Sequence, residues 1–558
     1  MKPIHSPATS SIVHQPAWLK GWRGWLLLLI VFATAYFLLR THTFFGALVH
    51  DDGLFLYTGQ AWADGQVPYQ DFWDHKPPGL FFYLSLPLRL FPFNLFAVKA
   101  FCVLMMAVTA TMLAITLSRV FGRIGAAVAM PCFVLFTSVF ETIRSGGLTE
   151  ESALLWIALA FYTVVTSLPN RWRAPLIAGI FFGLAVQFRQ TFALTALFGF
   201  VWYLQAGWTG RWQWRASGFA IALLAAGMLI PELVISAYFA LQGAWWAYIE
   251  ASYLFNLIYV EAGGPEISWA EWLELHQKVL LGSGPLLAFP FLSLLTIPLV
   301  AAQRRRYYFP LWAAFLGDWA AVSLSGEYYS HYFVQSGVTC AWLGALAFEA
   351  IWNALRQLPR SQWPIYKHLF FVLSLAGALA SLYPLSTAAI QARLNTIARW
   401  NDHLSEEGDT AFQRGVGRAV QQLTKPDQTV LLIGRVPNSV YFFSDRYAGS
   451  RYYHYSPLWK QKLSSALQPH HRKHFLEDLK QRRPALLLFD LTRLRDEPIS
   501  RVENNTPNAL PYIREHYLPF HEMVDEIQEA WFWYDIRLVI WVRSDLSSQI
   551  AASADEIR

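Results

Sequence analysis

The sequence predicts a polytopic α-helical membrane protein with a soluble α/β domain at its carboxyl end, and three observations carry that expectation. Of 558 residues, 55% are apolar and only 15% are charged, against about 25% charged in ordinary soluble domains. Apolar runs of about 18 residues or more, each long enough to cross a hydrocarbon core of about 30 Å, recur between residues 25 and 384. From Ser386 onward charged and polar residues return throughout, with no run of membrane length. The 25 Trp and 25 Tyr suit a membrane interface, where an apolar ring body and a polar tip are both satisfied. The net charge of +6 does not point to nucleic acid, because its basic residues fall in alternate short loops.

That alternation assigns sidedness, since Lys and Arg are hard to translocate and stay on the cytoplasmic side. Lys2, Lys20 and Arg23 precede the first span. Later basic loops hold Arg119 with Arg123, Arg171 with Arg173, Arg211 with Arg215, Arg304 with Arg305 and Arg306, and Arg356 with Arg360 and Lys367. The intervening connections hold the acids: Asp51, Asp52, Asp64, Asp71 and Asp74, then Glu150 and Glu151, then those between 250 and 274, then Glu327. Segment 79–93 is apolar but only about 15 residues long, and Pro87, Arg89 and Pro92 interrupt it, so it is expected to lie at the interface or re-enter. Letting it span would invert every later loop. About eleven spans follow, near 24–40, 95–117, 124–140, 152–168, 174–189, 191–206, 217–241, 279–302, 307–324, 333–355 and 366–385. The amino terminus is then cytoplasmic, and the carboxyl-terminal domain lies outside the plasma (inner) membrane. The first span has the basic flank of a signal peptide but no A-x-A-like site after it, and is expected to stay as an anchor.

Two domains are expected. Residues 1–385 form the membrane domain, with a first outer loop at 41–94, and residues 386–558 form the outer one. In the outer domain TVLLIG at 429–434, ALLLFD at 485–490 and RLVIWV at 537–542 read as buried strands, separated by helical stretches near 405–424 and 457–482. Cys102, Cys132 and Cys340 sit in apolar runs and read as buried hydrophobes. No P-loop, dinucleotide fingerprint or internal repeat occurs.

The chemistry concentrates in the first outer loop. It opens on His50-Asp51-Asp52-Gly53, reaches Tyr57, and continues as Tyr69-Gln70-Asp71-Phe72-Trp73-Asp74-His75-Lys76-Pro77-Pro78. Two adjacent carboxylates at a membrane surface are costly to ionise together unless a cation or a substrate proton is shared. A group in that position suits a general base. The competing reading is that Asp51 caps a helix beginning near Gly53.

An acidic pair followed by Tyr57, then Tyr-x-Asp-Phe-x-Asp-His-Lys-Pro-Pro, resembles the lipid-linked-sugar glycosyltransferases of the GT-C superfamily. The bacterial branch related to protein O-mannosyltransferases and the lipid A aminoarabinose transferase is the most similar. Weaker echoes lie at Gly183-Leu184-Ala185 to Arg189-Gln190 and at His331-Tyr332-Phe333. The resemblance implies a GT-C-like membrane domain in which the first acid of the loop is the catalytic base and the loop lysine lies near the donor phosphate. Those roles fall on Asp51, with Asp52 beside it, and on Lys76. The chain departs from the pattern in having Asp52 where Glu is common and Leu54 where relatives carry Arg, so the phosphate needs a second cation. Arg189 is the leading candidate, its alternatives being a structural ion pair or an interface anchor. Arg144, which could equally pair with Glu150 or Glu151, ranks lower as that cation. His331 is a further candidate at the donor phosphate, and Tyr57, Asp71, His75 and Tyr332 are candidates for other substrate contacts. Glu327 is a candidate for acceptor or metal, but no ligand spacing assigns a metal, and a divalent cation is the one cofactor left open.

The function expected is therefore transfer of a sugar from a polyprenyl-phosphate donor to a hydroxyl of a lipid, glycan or protein acceptor on the outer face of the bilayer. A phosphate-linked sugar already has a good leaving group. What remains is to deprotonate the acceptor, align it and stabilise the departing phosphate, and displacement in one step inverts the anomeric carbon. The alternative from another class is a transporter or flippase for a lipid-linked glycan. Transporters place ionisable groups near the bilayer midplane and show repeat symmetry, whereas here those groups crowd one face. A purely structural scaffold leaves Asp51, Asp52 and Lys76 unexplained. The aromatic loop at 245–272 reads as an interfacial anchor, and Tyr441, Arg446, Arg451, Tyr452, Tyr453, His454 and Tyr455 as domain packing.

Overall fold

The computed structural model of the chain describes residues 22–45, 48, 50–144, 146–168, 172–261, 268–282, 285–324, 328–357, 364–382, 409–434, 436–454, 458, 468–490, 502, 505–529 and 532–555. The expected domain junction at 386, together with Glu327, Arg171, Arg360 and Tyr455, lies outside them. The chain is mostly helical, with a small four-stranded sheet toward its carboxyl end.

Among the described residues four helices are long and apolar enough to cross a membrane: Trp22–Leu39, Leu95–Val120, Trp214–Leu241 and the stretch Ser330–Gln357. They divide by burial. The first and third have 17% and 22% of their apolar window covered by protein, the second and fourth 67% and 83%, so the first pair forms the lipid-facing wall and the second pair the packed interior. Leu229, Leu233 and Val234 on the outer wall point away from all protein, a surface that only hydrocarbon accommodates. Shorter apolar helices at Arg123–Phe136, Arg173–Val186, Phe192–Trp208 and Ile365–Ala380 fill the bundle.

A helix stands at each expected span except 279–302. There the chain breaks into Trp269–Gly282, a 3₁₀ turn at Pro285–Ala288 and a short helix at Phe289–Leu295. Pro285 and Pro290 lack the N–H that a continuous helix needs at those positions, which a count of apolar residues does not register. Gly79–Leu90 is a helix of 12 residues, about 18 Å long at 1.5 Å per residue and so too short to cross alone.

Toward the carboxyl end, β1 (Val430–Ile433) pairs in parallel with β2 (Leu486–Asp490), which pairs antiparallel with β4 (Phe532–Arg543). The hairpin partner β3 (Tyr517–Glu529) completes the order β1-β2-β4-β3, with a register shift between Pro519 and His521. Helices Asp409–Leu423 and Gln468–Arg482 accompany it. Three of the strands coincide with the apolar runs read from sequence. β3 does not, because it is an edge strand with Pro519, Glu522, Asp525 and Glu526 along it, the composition that edge strands use to refuse further pairing.

This unit is clamped onto the loop that follows the first long helix. The loop begins as helix His50–Ala63, and a Cβ at Gly53 would stand 2.4 Å from the backbone nitrogen of Ser439, so only glycine allows that approach. Tyr57 packs between the rings of Tyr441 and Tyr453, at 4.9 and 4.6 Å between centroids, and its hydroxyl accepts from Ala448 N at 3.1 Å. Trp73 N donates to Arg451 O at 2.8 Å, and Arg482 Nη2 donates to Asp71 O at 3.1 Å.

The charge-based topology puts helix Gln468–Arg482 outside the cytoplasm. The Lys473 side chain is 74% exposed, and the native Cys102, Cys132 and Cys340 are all buried. A Lys473→Cys variant is expected to react with a membrane-impermeant maleimide applied from the outer face. Labelling only after the cytoplasmic face is opened would overturn the orientation.

Candidate functional site

The loop lysine is held by a carboxylate two residues before it. Asp74 is fully buried, its Oδ1 accepts from Lys76 N at 3.1 Å and faces Lys76 Nζ at 3.4 Å, and its Oδ2 accepts from the Tyr453 hydroxyl at 2.9 Å. Burial by itself would raise the Asp74 carboxyl. Lys76, His75, His454 and the Tyr453 hydroxyl outweigh it and hold that carboxyl well below the usual carboxylate range. Burial likewise opposes the charge on Lys76, but Asp74 and Asp51 together carry it above the ordinary lysine value. The ammonium also lies 5.0 Å from the centre of the Phe55 ring, and its side chain remains 22% exposed. This is a permanently charged lysine, fixed in direction and open on one side.

Asp51 lies in the first turn of helix His50–Ala63, and its carboxylate is 3.8 Å from the Arg144 guanidinium and 33% exposed. Both Asp51 and Tyr332 act electrostatically on Lys76, which brings the three into one site. Arg144 takes a left-handed backbone, φ +50°, and lies 5.6 Å from the Tyr329 ring. The turn behind it is tied down by Lys99 Nζ, donating to Gly146 O at 2.9 Å, and by Gly147 N, donating to Glu151 Oε1 at 3.2 Å. Glu151 is in turn gripped by both Nη atoms of Arg40 at 3.1 Å. Arg40 and Glu151 are each almost wholly buried, so neither charge is tolerable without the other.

Arg189 completes the site. It forms an ion pair with Glu150, and its guanidinium stacks 3.5 Å from the centre of the Tyr332 ring. His331 is buried beside them, its ring parallel to that of Tyr329 at 5.6 Å, within the electrostatic reach of Glu150, Arg144, Asp51 and Arg189. Its Nδ1 is buried with no hydrogen-bond partner among the described residues. The site thus gathers Lys76, Arg144 and Arg189, each already facing an acid, around one exposed carboxylate and a set of aromatic rings. Such an arrangement is suited to an anion that carries an apolar or ring-shaped substituent.

The structure relocates several residues singled out in the sequence. Asp52 is only 2% exposed, so the two acids of the pair do not share one open site, and Asp51 alone faces it. Tyr57 is taken up by packing against the carboxyl-terminal unit. Asp71 is spent on its own loop, its Oδ2 accepting from Val67 N at 2.7 Å. His75 keeps 29% of its side chain exposed, 3.5 Å from Asp74, and its carbonyl is held by Asn256 Nδ2 at 2.6 Å. The aromatic loop, with Trp246 and Trp269 exposed, therefore also braces the lysine loop. Arg144 pairs with Asp51 rather than with Glu150 or Glu151, which Arg189 and Arg40 occupy. Arg446 and Arg451 serve the carboxyl-terminal unit, Arg451 through Asp478 at 2.9 Å. Among the described residues no three or more His, Cys, Asp or Glu converge to hold a metal ion.

Residues 75–247 match the family model described as dolichyl-phosphate-mannose-protein mannosyltransferase. The matched stretch contains Lys76, Arg144, Glu150 and Arg189 but begins after Asp51. No curated protein sequence matches the chain. Among solved structures, the fold is similar to that of ArnT from Cupriavidus metallidurans bound to undecaprenyl phosphate, with a TM-score of 0.55 and 14% identity over 93% of this chain and 98% of that one. The apo state of the same protein gives a TM-score of 0.53 and 12% identity over 92% and 98%. At such identities the likeness is one of fold. The chain resembles GT-C superfamily glycosyltransferases related to ArnT and the protein mannosyltransferases, in sequence over the matched segment and in architecture almost throughout.

Removing one member of the buried pair leaves the other uncompensated. Asp74→Asn is expected to lower stability by about 3 kcal/mol, and Tyr453→Phe by about 1 kcal/mol, read from unfolding in detergent. Because the folded carboxyl titrates below its unfolded value of about 3.9, its contribution is complete above that pH and is lost as the medium is acidified from there through the lower folded value. An Asp74→Asn variant as stable as the parent at neutral pH would contradict this.

Proposed function

We propose that the protein transfers a sugar from a polyprenyl-phosphate donor to an acceptor hydroxyl at the outer surface of the plasma (inner) membrane, with inversion at the anomeric carbon. The observation that carries this reading is the meeting of Asp51, Lys76 and Arg189 at one end of the membrane helices. A base and two cations on one side are what such a displacement requires. The similarity in fold to a protein crystallised with undecaprenyl phosphate supports the donor class.

Asp51 takes the proton from the acceptor hydroxyl, and Arg144 lies 3.8 Å from that carboxylate. The acceptor oxygen bonds to the anomeric carbon as the bond from that carbon to the phosphate oxygen breaks. The bonding electrons leave with the phosphate, which becomes a monoester, and the added negative charge falls beside Lys76 and Arg189. Asp74 and Glu150 already fix those cations, so they need not reorganise when charge develops. Tyr332, stacked on Arg189, and His331 line the same space and suit contacts to the sugar or phosphate. The acceptor is a hydroxyl of a lipid, a glycan or a protein.

Purified protein offered a polyprenyl-phosphate sugar and a nucleotide sugar is expected to consume only the lipid donor. Efficient turnover of the nucleotide sugar alone would sink the proposal. Asp51→Asn keeps shape and removes the base, so single-turnover rate should fall by about 10² to 10⁴ while donor binding persists. Lys76→Met removes the charge in ground and transition states alike, so affinity and rate should fall together. Near-normal turnover in Asp51→Asn would place the base elsewhere.

A further inference from the structure

A carboxylate lies deep among the membrane helices, behind the residues that face the donor. Asp318, on helix Tyr308–Ser323, has no exposed surface. An intramembrane acid is expensive and requires a reason. Its oxygens accept three hydrogen bonds: Oδ1 from the hydroxyl of Thr195 and from Gln335 Nε2 at 3.2 Å, Oδ2 from the hydroxyl of Thr339 at 2.9 Å. The Gln335 amide reaches further, with its Nε2 donating to Thr191 O at 3.1 Å and its Oε1 accepting from the Thr191 hydroxyl at 2.8 Å. Thr195, Gln335 and Thr339 are themselves almost entirely buried.

The two segments this network joins are the ones that carry donor-facing side chains. Thr191 belongs to the 3₁₀ turn Gln190–Ala193, whose preceding residue is Arg189. Gln335 belongs to the 3₁₀ turn Ser330–Ser336, which carries His331 and Tyr332. A 3₁₀ turn is a weakly determined piece of backbone, and the stack of Arg189 on Tyr332 spans the gap between the two turns. Only Gly317, beside Asp318, permits the helix to come this close, because a Cβ there would stand 2.6 Å from Leu194 O.

We propose that Asp318 is a positioning residue which, through Gln335, Thr191 and Thr195, holds the Arg189 turn against the His331–Tyr332 turn and so sets the second phosphate cation. The inference rests on the reading of Arg189 as a donor-phosphate partner. Asp318 touches no substrate. When ionised its carboxylate only accepts, which suits the three donors around it, and an amide of the same shape would turn an NH₂ toward one of them.

The test is the affinity of the detergent-purified full chain for undecaprenyl phosphate, measured for the parent, Asp318→Asn, Arg189→Met and the double variant. Asp318→Asn is expected to weaken binding about tenfold, as for a disturbed charge-assisted contact, and to add no further loss in the Arg189→Met background, since coupled residues are not additive. A general structural role would give losses that add, and that result overturns the proposal. So does unchanged affinity in Asp318→Asn when Arg189→Met alone weakens binding. If Arg189→Met itself leaves affinity unchanged, the assignment of Arg189 in the proposed function has failed, and this inference with it. Should Asp318→Asn not fold, Thr339→Val removes one donor from the same carboxylate. It is expected to weaken binding less, in the same direction and again only with Arg189 present, and additive losses would count against the proposal equally.

Discussion

An ammonium group walled in by protein persists only if an anion answers it, and the arrangement around the loop after the first long helix follows from how Asp74 answers Lys76. The carboxylate is fully buried, so it must in turn be satisfied, and one of its donors is the Tyr453 hydroxyl, 379 positions along the chain. That bond requires the carboxyl-terminal unit to sit directly on the loop that carries Asp74. The seating explains why Tyr57 is enclosed by Tyr441 and Tyr453, and why Gly53 carries no side chain where Ser439 passes. The lysine faces its site because a separate unit of the protein closes over its back.

The same logic repeats around the site. Arg40 answers Glu151 within the bundle, and Glu151 fixes the turn behind Arg144. Glu150 answers Arg189, and Asp51 answers Arg144. Each charge that faces the open space is backed by an opposite one in the protein, so the cations are oriented before any anion arrives. Pairs of this kind contribute little to net stability against an apolar alternative. Their value is in direction, which a displacement reaction at phosphate and sugar demands.

Much of the architecture was legible because bilayer crossing and strand burial both leave long or dense apolar runs. The reading failed where composition hides geometry. The segment at 279–302 is apolar enough to span yet contains prolines that break it, and β3 is polar enough to pass for a loop yet pairs along its whole length with β4. In the site, Asp51 and Arg189 stood out because charged groups beside apolar spans are costly, and Lys76, His331 and Tyr332 through the motifs that carry the resemblance. Their partners did not, since pairing between residues far apart in sequence leaves no local signal. Arg40 falls at the end of the expected span 24–40, Tyr453 reads as domain packing, and Asp318 lies inside the expected span 307–324 with no motif around it. Tyr57 and Asp71 drew attention through their place in a motif, but the fold uses one to seal a seam and the other to shape a loop.

The most direct test of the account is a cryo-EM structure of the full chain with undecaprenyl phosphate bound. The account predicts phosphate density within hydrogen-bond reach of Lys76 Nζ, on the side of the lysine turned away from Asp74, with the Arg189 guanidinium as its second cation and Asp51 facing the space beyond. Phosphate density resting away from both Lys76 and Arg189 would contradict it.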